Sequence, residues 1–315
     1  MLFRRLARYR LAFALAIAFV SSSAAAADAE FTRTEDVIYG RKWGMALTMD
    51  VFRPVEKEGV KQNGAGLILC VSGGFFSDKA AINKGFVQPF VNRGYAVFAV
   101  VHGSQPKFTI PEVVADMNRA VRYIRAHAGD YGVDPDRLGI YGGSAGGHLS
   151  LMLGTAGAEG AKTARDGVDR ESSRVQAVAC FFPPTDFLNY GKPGEVALGT
   201  GVLSGFKAPF DFTELDGSNR SFKLITDQKR REEIGREISP VNHASSDDPP
   251  TLIIHGDADK LVPIQQAELM VEALKKAGVE TELVVKKGAA HGWSGMDKDL
   301  EKFADWFDKH LAKRD

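Results

Sequence analysis

Gly142-Gly143-Ser144-Ala145-Gly146 fits the pattern G-x-S-x-G. The spacing has a physical reason. A serine on a very tight strand-to-helix turn projects its hydroxyl above a sheet, and glycines two residues to either side let strand and helix approach closely. Such a hydroxyl needs a base to take its proton and a third group to orient that base. In this arrangement the acid follows a later strand and the histidine comes near the end. His255-Gly256-Asp257-Ala258-Asp259 offers two acids, and Gly288-Ala289-Ala290-His291-Gly292-Trp293 offers the base. Ser72-Gly73-Gly74-Phe75-Phe76 lies after an early strand, where backbone N–H groups would meet a developing oxyanion. The chemistry implied is acyl transfer to serine, followed by water.

Other polar residues fit bland roles. Asp186 suits a helix or turn cap, and His148, His243 and His255 suit hydrogen-bonded structural positions. His102 divides evenly between pocket wall and packed residue, and Trp293 fits a packed aromatic better than a substrate contact. No H-E-x-x-H or Cys/His cluster occurs, so no metal is expected.

These residues need a scaffold. Thr32–Tyr39 and Ala46–Phe52 flank a Gly40–Gly44 turn and predict an antiparallel hairpin. Leu67–Val71, Tyr95–Val101, Leu138–Tyr141, Val175–Phe182, Thr251–His255 and Glu282–Val285 read as further strands, the longer ones as buried on both faces. Apolar residues recur at helical spacing over Lys79–Asn92, Val113–Ala128, Ile264–Ala277 and Asp299–Leu311, and a further helix should run from about His148 to Leu153. Between about 187 and 238 the periodicity fails, which predicts an insertion (lid) after the sixth strand. Alternating strands and helices imply an α/β domain whose mainly parallel central sheet carries helices on both faces.

Composition narrows the function further. Lys+Arg and Asp+Glu are both 40 in 315 residues, so no net charge draws the chain to nucleic acid. Residues 1–27 show a basic segment (Arg4, Arg5, Arg8 and Arg10), an apolar run Leu11–Val20 and a small-residue stretch Ser21–Ala27, the three parts of a secretory signal peptide. The apolar run is too short to span a bilayer, which needs about 20 residues. The expectation is a secreted or periplasmic domain, 28–315, without a stable membrane anchor. Cys70 and Cys180 fall on strands that the expected sheet order separates by one, about 9–10 Å at a spacing of ~4.8 Å. A disulfide needs Cα atoms within about 7 Å, so two separate buried thiols are expected.

From about Val51 to Leu311 the chain resembles the α/β-hydrolase esterases grouped as feruloyl and acetyl-xylan esterase-like, which border the hormone-sensitive-lipase and prolyl-oligopeptidase branches. The resemblance is carried by Asp134-Pro135-Asp136-Arg137-Leu138-Gly139, Gly142–Leu149, Pro183-Pro184-Thr185-Asp186, His255-Gly256-x-x-Asp259-x-x-Val262 and Gly288–Gly292. It implies the α/β-hydrolase fold, with Ser144 as nucleophile, Asp259 as acid and His291 as base. By position, Gly74 or Phe75 with Ala145 would donate to the oxyanion. It implies a serine esterase without a cofactor, acting on a small-molecule or carbohydrate ester.

Two departures stand out. Ser72 replaces the histidine that usually leads the oxyanion loop, and His102 replaces the start of a usual Tyr-Arg pair. Phe75, Phe76 and the 187–238 insertion are expected to shape the pocket, with His102 and Trp293 as further candidates for its wall. A prolyl-oligopeptidase-type peptidase and a non-catalytic binding protein on the same scaffold are the alternatives. Peptide turnover would favour the first, and lack of fluorophosphonate labelling at Ser144 the second.

Overall fold

The computed structural model describes residues 30–57 and 61–313. The expected signal segment, 1–27, lies outside them. Strands β1 (Phe31–Lys42) and β2 (Met45–Pro54) form the antiparallel hairpin, and β3 (Gly66–Val71) begins the parallel part. A short helix α1 (Gln88–Val91), β4 (Ala96–Val101), α2 (Ile110–Ala126), β5 (Leu138–Gly143), α3 (Ala145–Ala156) and β6 (Ala177–Phe181) follow. A small antiparallel hairpin, β7 (Thr213–Asp216) and β8 (Ser221–Leu224), precedes α4 (Gln228–Glu237). The domain closes with β9 (Thr251–Gly256), α5 (Gln265–Lys276), β10 (Thr281–Lys286) and α6 (Met296–His310).

The main sheet has the order β1-β2-β4-β3-β5-β6-β9-β10. All pairs from β4 to β10 are parallel, and β2 runs antiparallel to both its neighbours. This is the expected α/β architecture. Alternation sends Ile68 and Cys70 to one face, under α2, α3 and α5, and Leu67, Leu69 and Val71 to the other, under α1 and α6. On α6, Leu300, Phe303 and Phe307 are fully buried. Each such side chain contributes about 1.5–3 kcal/mol by leaving water. Among the described residues no helix is long and apolar enough to cross a membrane.

Two expectations need correction. Lys79–Asn92 is not one helix but two 3-10 turns, Lys79–Ala81 and Lys84–Phe86, followed by α1. Asp78 and Asn83 accept from the backbone N–H groups of Ala80 and Gly85, so local side-chain bonds outcompete the helical ladder. Pro89 then removes an interior donor. Helix α2 starts three residues earlier than its apolar stripe, because Glu112 accepts from Thr109 N–H at 2.9 Å and Pro111 suits a first turn.

Cys70 and Cys180 lie on β3 and β6 with β5 between them, both buried and free. Burial pushes the Cys70 thiol up to about 12. Denatured, unreduced protein should therefore yield two titratable thiols, and native protein should react far more slowly. A denatured sample with no free thiol would contradict this arrangement.

Candidate active site

Strand β5 runs straight into α3 through Ser144, whose φ of 55° and ψ of −120° are unusual for a residue with a side chain. Its own N–H donates to the Phe181 carbonyl at 3.0 Å, and its carbonyl accepts from His148 N–H at 2.9 Å. A Cβ on Gly142 would stand 2.7 Å from the Gly146 backbone, and one on Gly146 would stand 2.7 Å from the Cys70 carbonyl. No larger residue fits either position without moving β3, β5 or α3 apart.

The loop after β10 carries His291 to this turn. His291 Nε2 lies 3.0 Å from Ser144 Oγ, and His291 Nδ1 lies 2.7 Å from Asp259 Oδ2. The carboxylate fixes the tautomer: Nδ1–H donates to Asp259, which leaves Nε2 to accept the serine proton. Asp259 follows β9 and is buried. Burial raises its pKa, but His255, His291 and the backbone N–H of Val262 more than offset this and hold it well below the usual carboxylate range. Its Oδ1 accepts from Leu261 and Val262 N–H, each at 2.9 Å. His255 Nε2, 3.6 Å from Asp259 Oδ2, donates instead to the Val262 carbonyl at 2.9 Å, so it is chiefly an electrostatic neighbour.

Asp257, the other acid the sequence offered, faces away from His291. It accepts from Gly288 N–H at 2.6 Å and pairs with Lys287 at 3.2 Å. It ties the acid loop to the histidine loop. Asp186 accepts from Leu188 and Asn189 N–H, closing a turn.

Residues 73–76 form a tight two-residue turn. Gly73 and Phe76 exchange both backbone hydrogen bonds at 2.9 Å, and Gly74 and Phe75 have φ of 55° and 62°. The turn bonds use neither the Gly74 nor the Phe75 N–H. Both residues line the small cavity beside Ser144 and Ala145, so an oxyanion formed at Ser144 would lie at its edge. The Phe75 ring is buried against His148 and Phe210 at centroid distances of 5.4 and 6.3 Å, which holds a phenylalanine in a left-handed conformation.

With Ser72 in place of a histidine, the loop is braced from Ser77, which sequence reasoning did not single out. Ser77 Oγ donates to the Val71 carbonyl at 2.5 Å and accepts from His102 N–H at 3.2 Å. Ser77 N–H reaches Ser104 Oγ at 3.1 Å, and Gln105 N–H reaches the Phe75 carbonyl at 3.1 Å. No sequence signal marks these contacts, because they join separate loops through single serine hydroxyls and backbone groups.

Phe75 lines the cavity at Ser144, whereas Phe76, His102 and Trp293 stand elsewhere. His102 is buried, with Nδ1–H donating to the Gly103 carbonyl at 2.8 Å, and belongs to the loop brace. Phe76 is 51% exposed, since the turn that buries Phe75 sends its neighbour outward. Trp293 packs edge-on against Phe181 and Phe182 and donates to Asp299 at 2.7 Å. The other walls around Ser144 come from Phe187, Leu203, Phe206 and Phe210 of the 187–238 insertion, and from Phe182 and Met296. A larger cleft, about 810 Å³, lies among Asp134, Arg137 and Asp247 at the N-terminal ends of the strands, away from these groups. Among the described residues no cluster of three His, Cys, Asp or Glu side chains is arranged to hold a metal ion.

Comparison with known proteins gives a consistent picture. The BD-FAE family model matches residues 49–274. The chain is 28% identical over 258 residues to the probable carboxylic ester hydrolase LipM of Mycobacterium tuberculosis, covering 78% of this chain and 53% of LipM. The chain thus spans about half the length of the curated relatives it matches. Among solved structures it resembles a truncated carbohydrate esterase from gut microbiota, at 25% identity and a TM-score of 0.71, covering 91% of this chain and 99% of the other. It also resembles an acetyl ester-xyloside bifunctional hydrolase from Caldicellulosiruptor lactoaceticus, at 25% identity and a TM-score of 0.62, covering 84% and 86%.

Two buried histidines beside the site give the protein a pH dependence of stability. Burial lowers the pKa of both His102 and His148 from 6.5 to about 4. Below pH 6.5 the unfolded chain binds protons that the folded one refuses, so their contribution is present above that pH and lost as pH falls toward 4. Between pH 7 and 5 each histidine should cost about 2 kcal/mol. In urea unfolding at the two pH values, His148→Asn should lose less stability than wild type by about that amount. Equal losses would count against a neutral, buried His148.

Proposed function

The chain belongs to the BD-FAE family, and we propose that it is a carboxylic ester hydrolase working through an acyl-enzyme on Ser144. The observation that carries this reading is the unbroken hydrogen-bonded line from Ser144 through His291 to Asp259, at 3.0 and 2.7 Å. That line ends on a serine held on a strained turn in contact with two cavities.

The steps follow from the geometry. Ser144 Oγ attacks the ester carbonyl carbon as His291 Nε2 takes its proton. The carbonyl oxygen becomes an oxyanion, met by N–H groups of Gly74 or Phe75 and of Ala145. Asp259 stabilises the imidazolium without accepting its proton. The C–O bond to the alcohol breaks, and His291 returns the proton to the leaving oxygen. Water, deprotonated by His291, then attacks the acyl-enzyme, and the acid leaves as Ser144 is regenerated.

Acylated carbohydrate is the substrate class we favour. Support comes from the two structural neighbours described as a carbohydrate esterase and an acetyl ester-xyloside hydrolase. It also comes from the open cavity of about 370 Å³ on the Phe182 side of Ser144, wide enough for a sugar. Export is part of the same reading and rests on the three-part pattern of residues 1–27. N-terminal sequencing of protein from the periplasm or medium should start near Asp28, and a start at Met1 would refute cleavage.

Ser144→Ala should lower kcat on short-chain p-nitrophenyl esters by about 10⁶. Asp259→Asn should lower it by about 10⁴, because the amide favours the wrong His291 tautomer. Undiminished turnover in Ser144→Ala would refute the mechanism. Turnover of a proline-type peptide substrate in place of esters would favour the peptidase reading.

A further inference from the structure

We propose that Phe206, seated over the oxyanion loop, sets the acyl-chain length this protein accepts and restricts it to short acids. The inference rests on the ester-hydrolase reading of Ser144.

Two cavities meet at Ser144. One holds Gly143, Phe182 and Met296 and measures about 370 Å³. The Phe182 ring stands 4.4 Å from the ring of His291. The leaving alcohol must receive its proton from His291, so the alcohol occupies this side. The acyl group then points into the other cavity, beside Gly74 and Ala145. That cavity is walled by apolar side chains and measures about 30 Å³, less than a tenth of the cavity on the alcohol side. A short acyl group is accommodated there more readily than a long one.

Phe206 is the wall that decides this. A Cβ placed on Gly74 would stand 2.5 and 2.6 Å from two Phe206 ring carbons, so the ring lies directly on the loop. Phe187 and Phe210 are fully buried and pack on each other at 5.2 Å, so they belong to the core. Phe206 belongs to the 3-10 segment Gly201–Phe206, where only Leu203 is buried, Phe206 is half-buried and the remaining residues are exposed. Shortening Phe206 therefore opens the acyl cavity toward solvent without emptying the core.

The test compares kcat/KM on p-nitrophenyl acetate, butyrate, hexanoate and octanoate for wild type, Phe206→Ala, Phe206→Leu and the exposed control Val202→Ala. Wild type should lose at least about tenfold from acetate to hexanoate, the scale set by extra methylenes that a pocket cannot take. Phe206→Ala should raise the hexanoate-to-acetate ratio by about tenfold or more, and Phe206→Leu by less. Val202→Ala should leave the ratio unchanged. Circular dichroism of each variant, together with Phe206→Leu, separates a changed pocket from a lost fold. A wild type that prefers octanoate overturns the proposal. So does a folded Phe206→Ala or Phe206→Leu that still cleaves acetate with the wild-type ratio. If wild type and Ser144→Ala turn over all four esters alike, the hydrolase reading itself falls, and the proposal with it.

Discussion

Everything at the site depends on how closely β3, β5 and α3 approach one another at Ser144. The turn holds a residue with a side chain at positive φ, which costs on the order of 1–3 kcal/mol. The surrounding packing keeps it there. Glycines at 142, 146 and 147 leave no room for a Cβ, since one on Gly147 would stand 2.9 Å from the Phe181 carbonyl. The same approach aims the serine out of the sheet and puts the N-terminus of α3 behind it. If the three elements separated, the serine would relax and the oxyanion site would open.

The second constraint is electrostatic. A buried carboxylate is tolerated only when its lone pairs are taken up, and Asp259 takes three donors: Leu261 N–H, Val262 N–H and His291 Nδ1–H. Two of these come from its own loop, so the acid is stabilised before the histidine arrives. The histidine loop is then pinned to the acid loop by a backbone bond from Ala258 N–H to the Ala289 carbonyl and by Gly288 N–H donating to the Asp257 carboxylate. Gly256 must lack a side chain there, since a Cβ would stand 2.3 Å from the Ala289 carbonyl. The positions of His291 and Asp259 are therefore one structural fact rather than two.

The oxyanion loop shows how a changed residue is absorbed. Ser72 lacks the imidazole that usually leads such loops, and the bracing moves to Ser77, Ser104 and Gln105. Phe75 adds an aromatic anchor in a turn position that glycine would occupy without strain.

The sequence by itself determined the eight strands of the main sheet, the long helices and the identities of Ser144, Asp259 and His291 as neighbours at strand ends. These follow from local signals: buried apolar runs, helical spacing, and glycines where backbones must approach. Local signals also misled over Lys79–Asn92, where periodicity was outweighed by the side-chain bonds of Asp78 and Asn83. Strand-end spacing and the family pattern already favoured Asp259 over Asp257, and the tertiary structure gives the reason: Asp259 faces His291, while Asp257 faces Gly288 and Lys287. Only the tertiary structure assigned individual residues of the 187–238 insertion to the pocket walls. His102, Phe76 and Trp293 lie near Ser144 in the expected topology, yet backbone bonding and side-chain direction turn all three away. Phe206 and Leu203 come from a stretch without periodicity and reach the site through contacts far apart in the chain. Strand and helix are written in nearest-neighbour chemistry, while the lining of a pocket is set by which side of a loop each side chain takes once the whole domain has closed.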